Sequence, residues 1–171
     1  MVTGHIALAY LARSAWPRAT LLPLLVATLI PDLADFALPQ GDRCRTACAL
    51  YTHAVPAVFV LAAAAAVLAW YVFHRRATSY LVAALVLAHV ASDLVTGHKP
   101  YWPGGPKLGL QLYAQPVTDF AVEASMMIIA WVVLRRTADA PRVAVHPVAL
   151  LLLLAVQAAF DYFQLRGFPG R

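Results

Sequence analysis

The sequence predicts an all-α integral membrane protein. It reads as one membrane-embedded domain over residues 1–171, a bundle of about five long apolar helices behind a short N-terminal helix. Three observations predict it. The 171-residue chain is 62% hydrophobic and 12% charged, where soluble domains average roughly 45–50% and about 25%. The apolar excess lies in runs: residues 54–73 hold no charged side chain, and residues 143–160 hold none when His146 is neutral. Basic pairs close two of the runs, Arg75-Arg76 and Arg135-Arg136. Hydrocarbon about 30 Å thick, crossed at ~1.5 Å per residue, requires about 20 such residues.

The elements follow in order. A first helix over 4–16 is too short to span comfortably, and Pro17 stops it. A second run over 19–38 is interrupted by Pro23 and Pro31. A polar loop, 39–49, leads to a long helix over 51–74. The next covers 79–96. A loop rich in Pro, Gly and aromatics, 97–116, precedes a helix over 117–134, and the last covers 145–163. The alanine run Ala62–Ala66 suits a span, because small residues let neighbouring helices approach. Met1-Val2-Thr3-Gly4-His5 lacks the basic start of a cleavable leader. The formal charge of +5 does not point to nucleic acid, since many of the arginines sit at helix ends, where they anchor spans.

With Arg75-Arg76 and Arg135-Arg136 placed in the cytoplasm, Arg13, Arg18 and Arg142 fall on that side too, all in short loops where positive charge most strongly sets orientation. The expected location is the inner membrane, multi-pass, with the long loops on the extracytoplasmic side. Cys44 and Cys48 then lie in an oxidising space that permits a disulfide; unpaired thiols fit as well.

Ionisable groups inside membrane segments are costly, about 2.5 kcal/mol or more each, so they mark function or pair with something. Because the chain reverses at each loop, residues late in one helix and early in the next share a level. Seven acids (32, 35, 42, 93, 119, 123, 161) fall on the outward side, against Asp139 alone on the other. His5, His53 and His89 join them. His89/Asp93 and Asp119/Glu123 are i,i+4 pairs on expected helices, each placing two side chains on one face. Imidazole with carboxylate suits zinc, manganese or iron. Two such pairs could hold two ions, with His5, Asp32 and His53 filling or bridging positions. Each residue also has a plainer role: His5 and His53 as hydrogen-bonded packing groups, Asp32 and Asp119 as helix caps, Asp35 as a solvated loop acid. Asp161, His74 and His146 read as interfacial.

Thr3-Gly4-His5, Pro31-Asp32 followed by Asp35, Thr52-His53, His89-x3-Asp93 with Leu94-Val95-Thr96, and Glu123 form an ordered set. The set resembles the membrane-bound metal-dependent hydrolases, also described as LexA-binding, inner-membrane-associated hydrolases. Its order is also similar to the ligand order of the zinc-dependent phospholipase C and single-strand nuclease fold. That resemblance implies His5, Asp32, His53, His89, Asp93 and Glu123 as metal ligands. Asp119 stands where the nuclease pattern has His, and Asp35 comes one residue later than in the family's Pro-Asp-x-Asp. Ala54 replaces the usual Ser after Thr-His.

The expected function is hydrolysis of a phosphoester or related bond in a lipid or lipid-linked substrate. Water would be activated by divalent ions, zinc first, two in number or three, with Asp35 or Asp119 as general base. Lys99, Lys107 or Arg43 could meet a phosphate. The alternatives are a non-enzymatic membrane protein with a structural metal, and an ion or proton transporter. A transporter would need polar residues through the full depth, whereas the inner halves are nearly all apolar.

Overall fold

The computed structural model describes residues 3–37, 51–97, 99–100, 102 and 105–166. Cys44, Cys48, Asp42, Arg43 and His98 lie outside the described residues. The chain forms the expected all-α bundle: α1 (Thr3–Ala15), α2 (Leu21–Ala37), α3 (Val55–Phe73), α4 (Arg76–Thr96), α5 (Pro116–Arg135) and α6 (Pro147–Arg166). Single 3-10 turns at Tyr51–His53 and Leu112–Ala114 precede α3 and α5. In the α4–α5 connection, β1 (Lys99–Pro100) pairs antiparallel with β2 (Lys107–Leu108). Among the described residues, α3, α4 and α5 are long and apolar enough to cross a membrane.

Local chemistry explains where the helices differ from expectation. α2 is continuous through both of its prolines. Pro23 stands in the first turn, where an N–H has no helical acceptor to reach. Pro31 lies inside the helix and forfeits one hydrogen bond, a loss the packed neighbours tolerate. α4 begins at Arg76 rather than Ser79, because the turn is tight. His74 adopts a left-handed conformation (φ 50°), its N–H bonds to the Trp70 carbonyl, and Arg75 is already extended.

α1 is the axis of the bundle. Its 13 residues bury Thr3, Gly4, His5, Ala7, Ala9, Tyr10 and Arg13. Ala9 packs with Leu24, Ala27, Val58, Ala62, Val82 and Val86 from α2, α3 and α4. Ala7 and Tyr10 pack with Met127, Ala130, Trp131 and Leu134 of α5. On α3 the buried positions are Val58, Ala62, Ala65 and Ala69, a stripe at helical spacing, while Phe59, Val60, Val67, Leu68 and Tyr71 are exposed. The small residues draw α3 against its partner; the large ones face outward, the inverse of a soluble helix and the arrangement a lipid solvent selects.

Two ends result. The starts of α1, α3 and α5 and the finishes of α2 and α4 meet at one end. Arg13, Arg18, Arg75, Arg76, Arg135, Arg136 and Arg142 gather at the other, hereafter the basic end.

Candidate metal centre

The site is assembled from the finishes of α2 and α4, the start of α1 and the turn before α3. Asp32 and Asp35 project from the last turns of α2, His53 ends the 3-10 turn, and His89 and Asp93 lie one turn apart on α4. One nitrogen or oxygen from each of Asp32, His53, His89 and Asp93 lies within 4.8 Å of the others. Nε2 of His53 stands 3.2 Å from Nε2 of His89, 3.2 Å from Oδ1 of Asp32 and 3.3 Å from Oδ2 of Asp93. Nε2 of His89 is 3.6 Å from Oδ1 of Asp32 and 3.5 Å from Oδ2 of Asp93. Donors on a tetrahedron with metal–ligand bonds of about 2.0–2.1 Å stand roughly 3.3–3.4 Å apart. The measured separations surround that value.

The tautomers agree. Nδ1 of His89 lies 2.6 Å from the Thr28 carbonyl oxygen, which can only accept. In the neutral ring the proton therefore sits on Nδ1, and the Nε2 lone pair faces the cluster, as metal binding requires. Nδ1 of His53 is held 3.0 Å from Oδ2 of Asp35, and Thr52 Oγ1 hydrogen-bonds the other oxygen of that carboxylate. A carbonyl behind one imidazole and a carboxylate behind the other are the supports that orient metal-binding histidines. Two carboxylates and a lone pair then converge on His53 Nε2, which can supply at most one proton. A divalent cation satisfies this donor set better than that proton does.

Burial favours the neutral His53 ring, but the hydrogen-bonding carboxylates of Asp32, Asp35 and Asp93 outweigh it and push the imidazole up to about 10. Lys99 contributes the other nearby positive charge. β1 brings its ammonium 3.2 Å from Oδ2 of Asp93. Asp32, with 49% of its side chain accessible, is the open edge, whereas the His53, His89 and Asp93 side chains are at most 2% accessible.

The remaining sequence-predicted ligands are placed differently. His5 stacks on His89, with ring centroids 3.7 Å apart. Its Nε2 lies 3.3 Å from Oδ1 of Asp93 and its Nδ1 3.2 Å from Ser92 Oγ, so it joins the cluster through Asp93. Glu123 is buried beyond His5. Its Oε2 accepts from the Gly4 N–H (3.1 Å) and the Thr3 hydroxyl (3.3 Å), at the positive end of the α1 dipole. Asp119 is buried one turn before Glu123, close to Asp161. Gln157 Nε2 donates to both Asp161 oxygens, and its carbonyl accepts from Thr3. Asp161 is thus buried rather than interfacial. Thr28, Ser92 and Gln157 escape a sequence reading, since uncharged groups in apolar helices carry no distinguishing pattern, whereas Thr3 and Thr52 enter it only within the Thr3-Gly4-His5 and Thr52-His53 motifs.

Fold and site together define a membrane-type helical bundle with a buried His/Asp cluster able to hold a metal ion. The chain matches no family model, no curated protein and no solved structure.

Proposed function

We propose that the protein is a multi-pass inner-membrane hydrolase that uses divalent metal, zinc first, to cleave a phosphoester or related bond of a lipid or lipid-linked substrate. On this reading it belongs with the inner-membrane-associated hydrolases that its ordered motifs resemble. The observation that carries the proposal is the near-tetrahedral meeting of Asp32, His53, His89 and Asp93, with one member on an accessible edge. Asp32, His53, His89 and Asp93 would hold the ion. His5, through the second oxygen of Asp93, is the start of a neighbouring position. The metal would supply Lewis acidity and a nucleophilic water at neutral pH.

The chain's own groups do the rest. Asp35 accepts the Nδ1–H hydrogen bond of His53 and is the carboxylate nearest the centre outside the four donors, the candidate general base. Asp119 stands with Glu123 and Asp161, away from Asp32. Lys99 offers a cation to a phosphate oxygen beside Asp93. Leu33 and Phe36, exposed together beside Asp32 and Asp35 on α2, give an apolar rim suited to a substrate that never leaves the bilayer. The basic end faces the cytoplasm, which puts the site at the outer leaflet.

A second reading has its own observation. Four protein donors can close a tetrahedral sphere, as in structural zinc sites. Metal analysis of purified protein, repeated on His89→Ala and Asp93→Ala, addresses the ligands: wild type retains metal and both variants lose it. Unchanged metal in both removes the site. Hydrolysis of a short-chain phospholipid, abolished by chelator and restored by zinc, separates the readings. Metal retained without turnover of any lipid phosphoester leaves the structural role.

A further inference from the structure

A cleft of about 930 Å³ lies at the basic end, between the start of α2 and the first half of α6. α1 forms its floor with Tyr10 and Arg13. It exists because α6 packs on α5 and touches α1, while α2 packs on α1 and α4, so the two outer helices diverge over α1. The wall is apolar, with Leu25, Leu153 and Val156 toward its deep end, and no acidic residue lines it. On α6 the lining runs from Ala149 to Val156, about 10 Å along that helix.

The mouth is cationic. Arg13 and Arg18 both line the cleft, and α2 begins there at Leu21, with Thr20 and Leu22 on the wall. Arg13 is 94% buried, since its relative exposure is 6%. Its Nη2 donates to the Asp139 carbonyl at 2.9 Å, while Nη1 is buried with no hydrogen-bond partner. A buried guanidinium N–H with no acceptor is costly and favours an anion that can accept from it. The positive end of the α2 dipole lies at the same mouth, beside Arg13 and Arg18. A cationic mouth continuous with an apolar wall is complementary to an amphipathic anion.

We propose that this cleft binds an anionic phospholipid, its phosphate at Arg13, Arg18 and the start of α2 and one acyl chain along Leu25, Leu153 and Val156. The lipid wedges between α2 and α6 and holds the basic end together. This site is separate from the metal centre and does not depend on it.

The test uses the full chain, purified in non-ionic detergent and exchanged into mixed micelles of phosphatidylglycerol or phosphatidylcholine, with retained lipid read by native mass spectrometry. One phosphatidylglycerol per chain is expected, with phosphatidylcholine retained about tenfold less. Inorganic phosphate alone should neither bind nor displace the lipid. Arg13→Gln should abolish the preference. Ala149→Trp, which fills the cleft and leaves both arginines, should lose the lipid outright, and metal content should stay at the wild-type level in both. Equal retention of the two lipids by wild type overturns the proposal. So does lipid retained unchanged by Ala149→Trp, or a lipid-free dimer. Should Arg13→Gln fail to fold, Ala149→Trp still decides. Loss of metal in His89→Ala with lipid retention intact leaves this proposal standing, so the two sites succeed or fail separately.

Discussion

His89 shows how much one residue's surroundings determine. Its Nδ1 proton is committed to the Thr28 carbonyl, so in the neutral ring its Nε2 lone pair is directed at the cluster. His89→Ala removes a proposed ligand and leaves His53 as the one imidazole between Asp32 and Asp93; metal content measured by atomic emission should drop to background. Asp35→Asn is a gentler probe. It keeps the shape behind His53 but removes the carboxylate, and metal affinity should fall about 10–100-fold, read by competition with a chelating dye. The pH response follows from His53. In metal-free protein its folded-state value is raised to about 10, against about 6.5 for an unperturbed imidazole. The stabilisation is therefore fully present below about pH 6.5 and is lost as pH rises through about 10. Thermal unfolding of chelator-treated protein should fall over that window. Metal-loaded protein should behave oppositely, gaining affinity as pH rises, because the ion replaces the His53 proton.

Among the elements, α3 gives the plainest test. Ala62, Ala65 and Ala69 let its backbone approach α4, and Ala65 is 8% exposed. Ala65→Leu should destabilise the α3–α4 pair by about 1–3 kcal/mol, seen as a lower unfolding temperature, whereas Val67→Leu, on the exposed side, should be nearly silent. Helix positions were legible in the sequence because the apolar runs have the length a bilayer requires and basic pairs punctuate them. Boundaries were less so. α2 read as broken at Pro23 and Pro31, yet Pro23 falls where no hydrogen bond is lost and Pro31 where neighbouring helices hold the backbone in place. The α3–α4 turn uses a left-handed His74, a conformation that histidine does not advertise.

For the molecule as a whole, orientation is the measurable claim. Thr118 is exposed in the first turn of α5, and Thr137 is partly exposed just past its other end. With Cys44 and Cys48 replaced by Ser, Thr118→Cys should react with an impermeant maleimide in intact cells, and Thr137→Cys only after permeabilisation. The reverse pattern inverts the proposed topology. The sequence alone determined that the chain is a helical membrane bundle and that seven of its eight acids, with His5, His53 and His89, fall at one level, because bilayer thickness and chain reversal fix depth without reference to packing. It could not say which of them touch. Asp32, His53, His89 and Asp93 converge, while Glu123 is drawn off by the Thr3 and Gly4 groups at the start of α1. That division depends on which way each helix is rotated about α1, and rotation is set by the packing of Ala7, Ala9 and the α3 alanines, a property of the assembled bundle that no single helix carries.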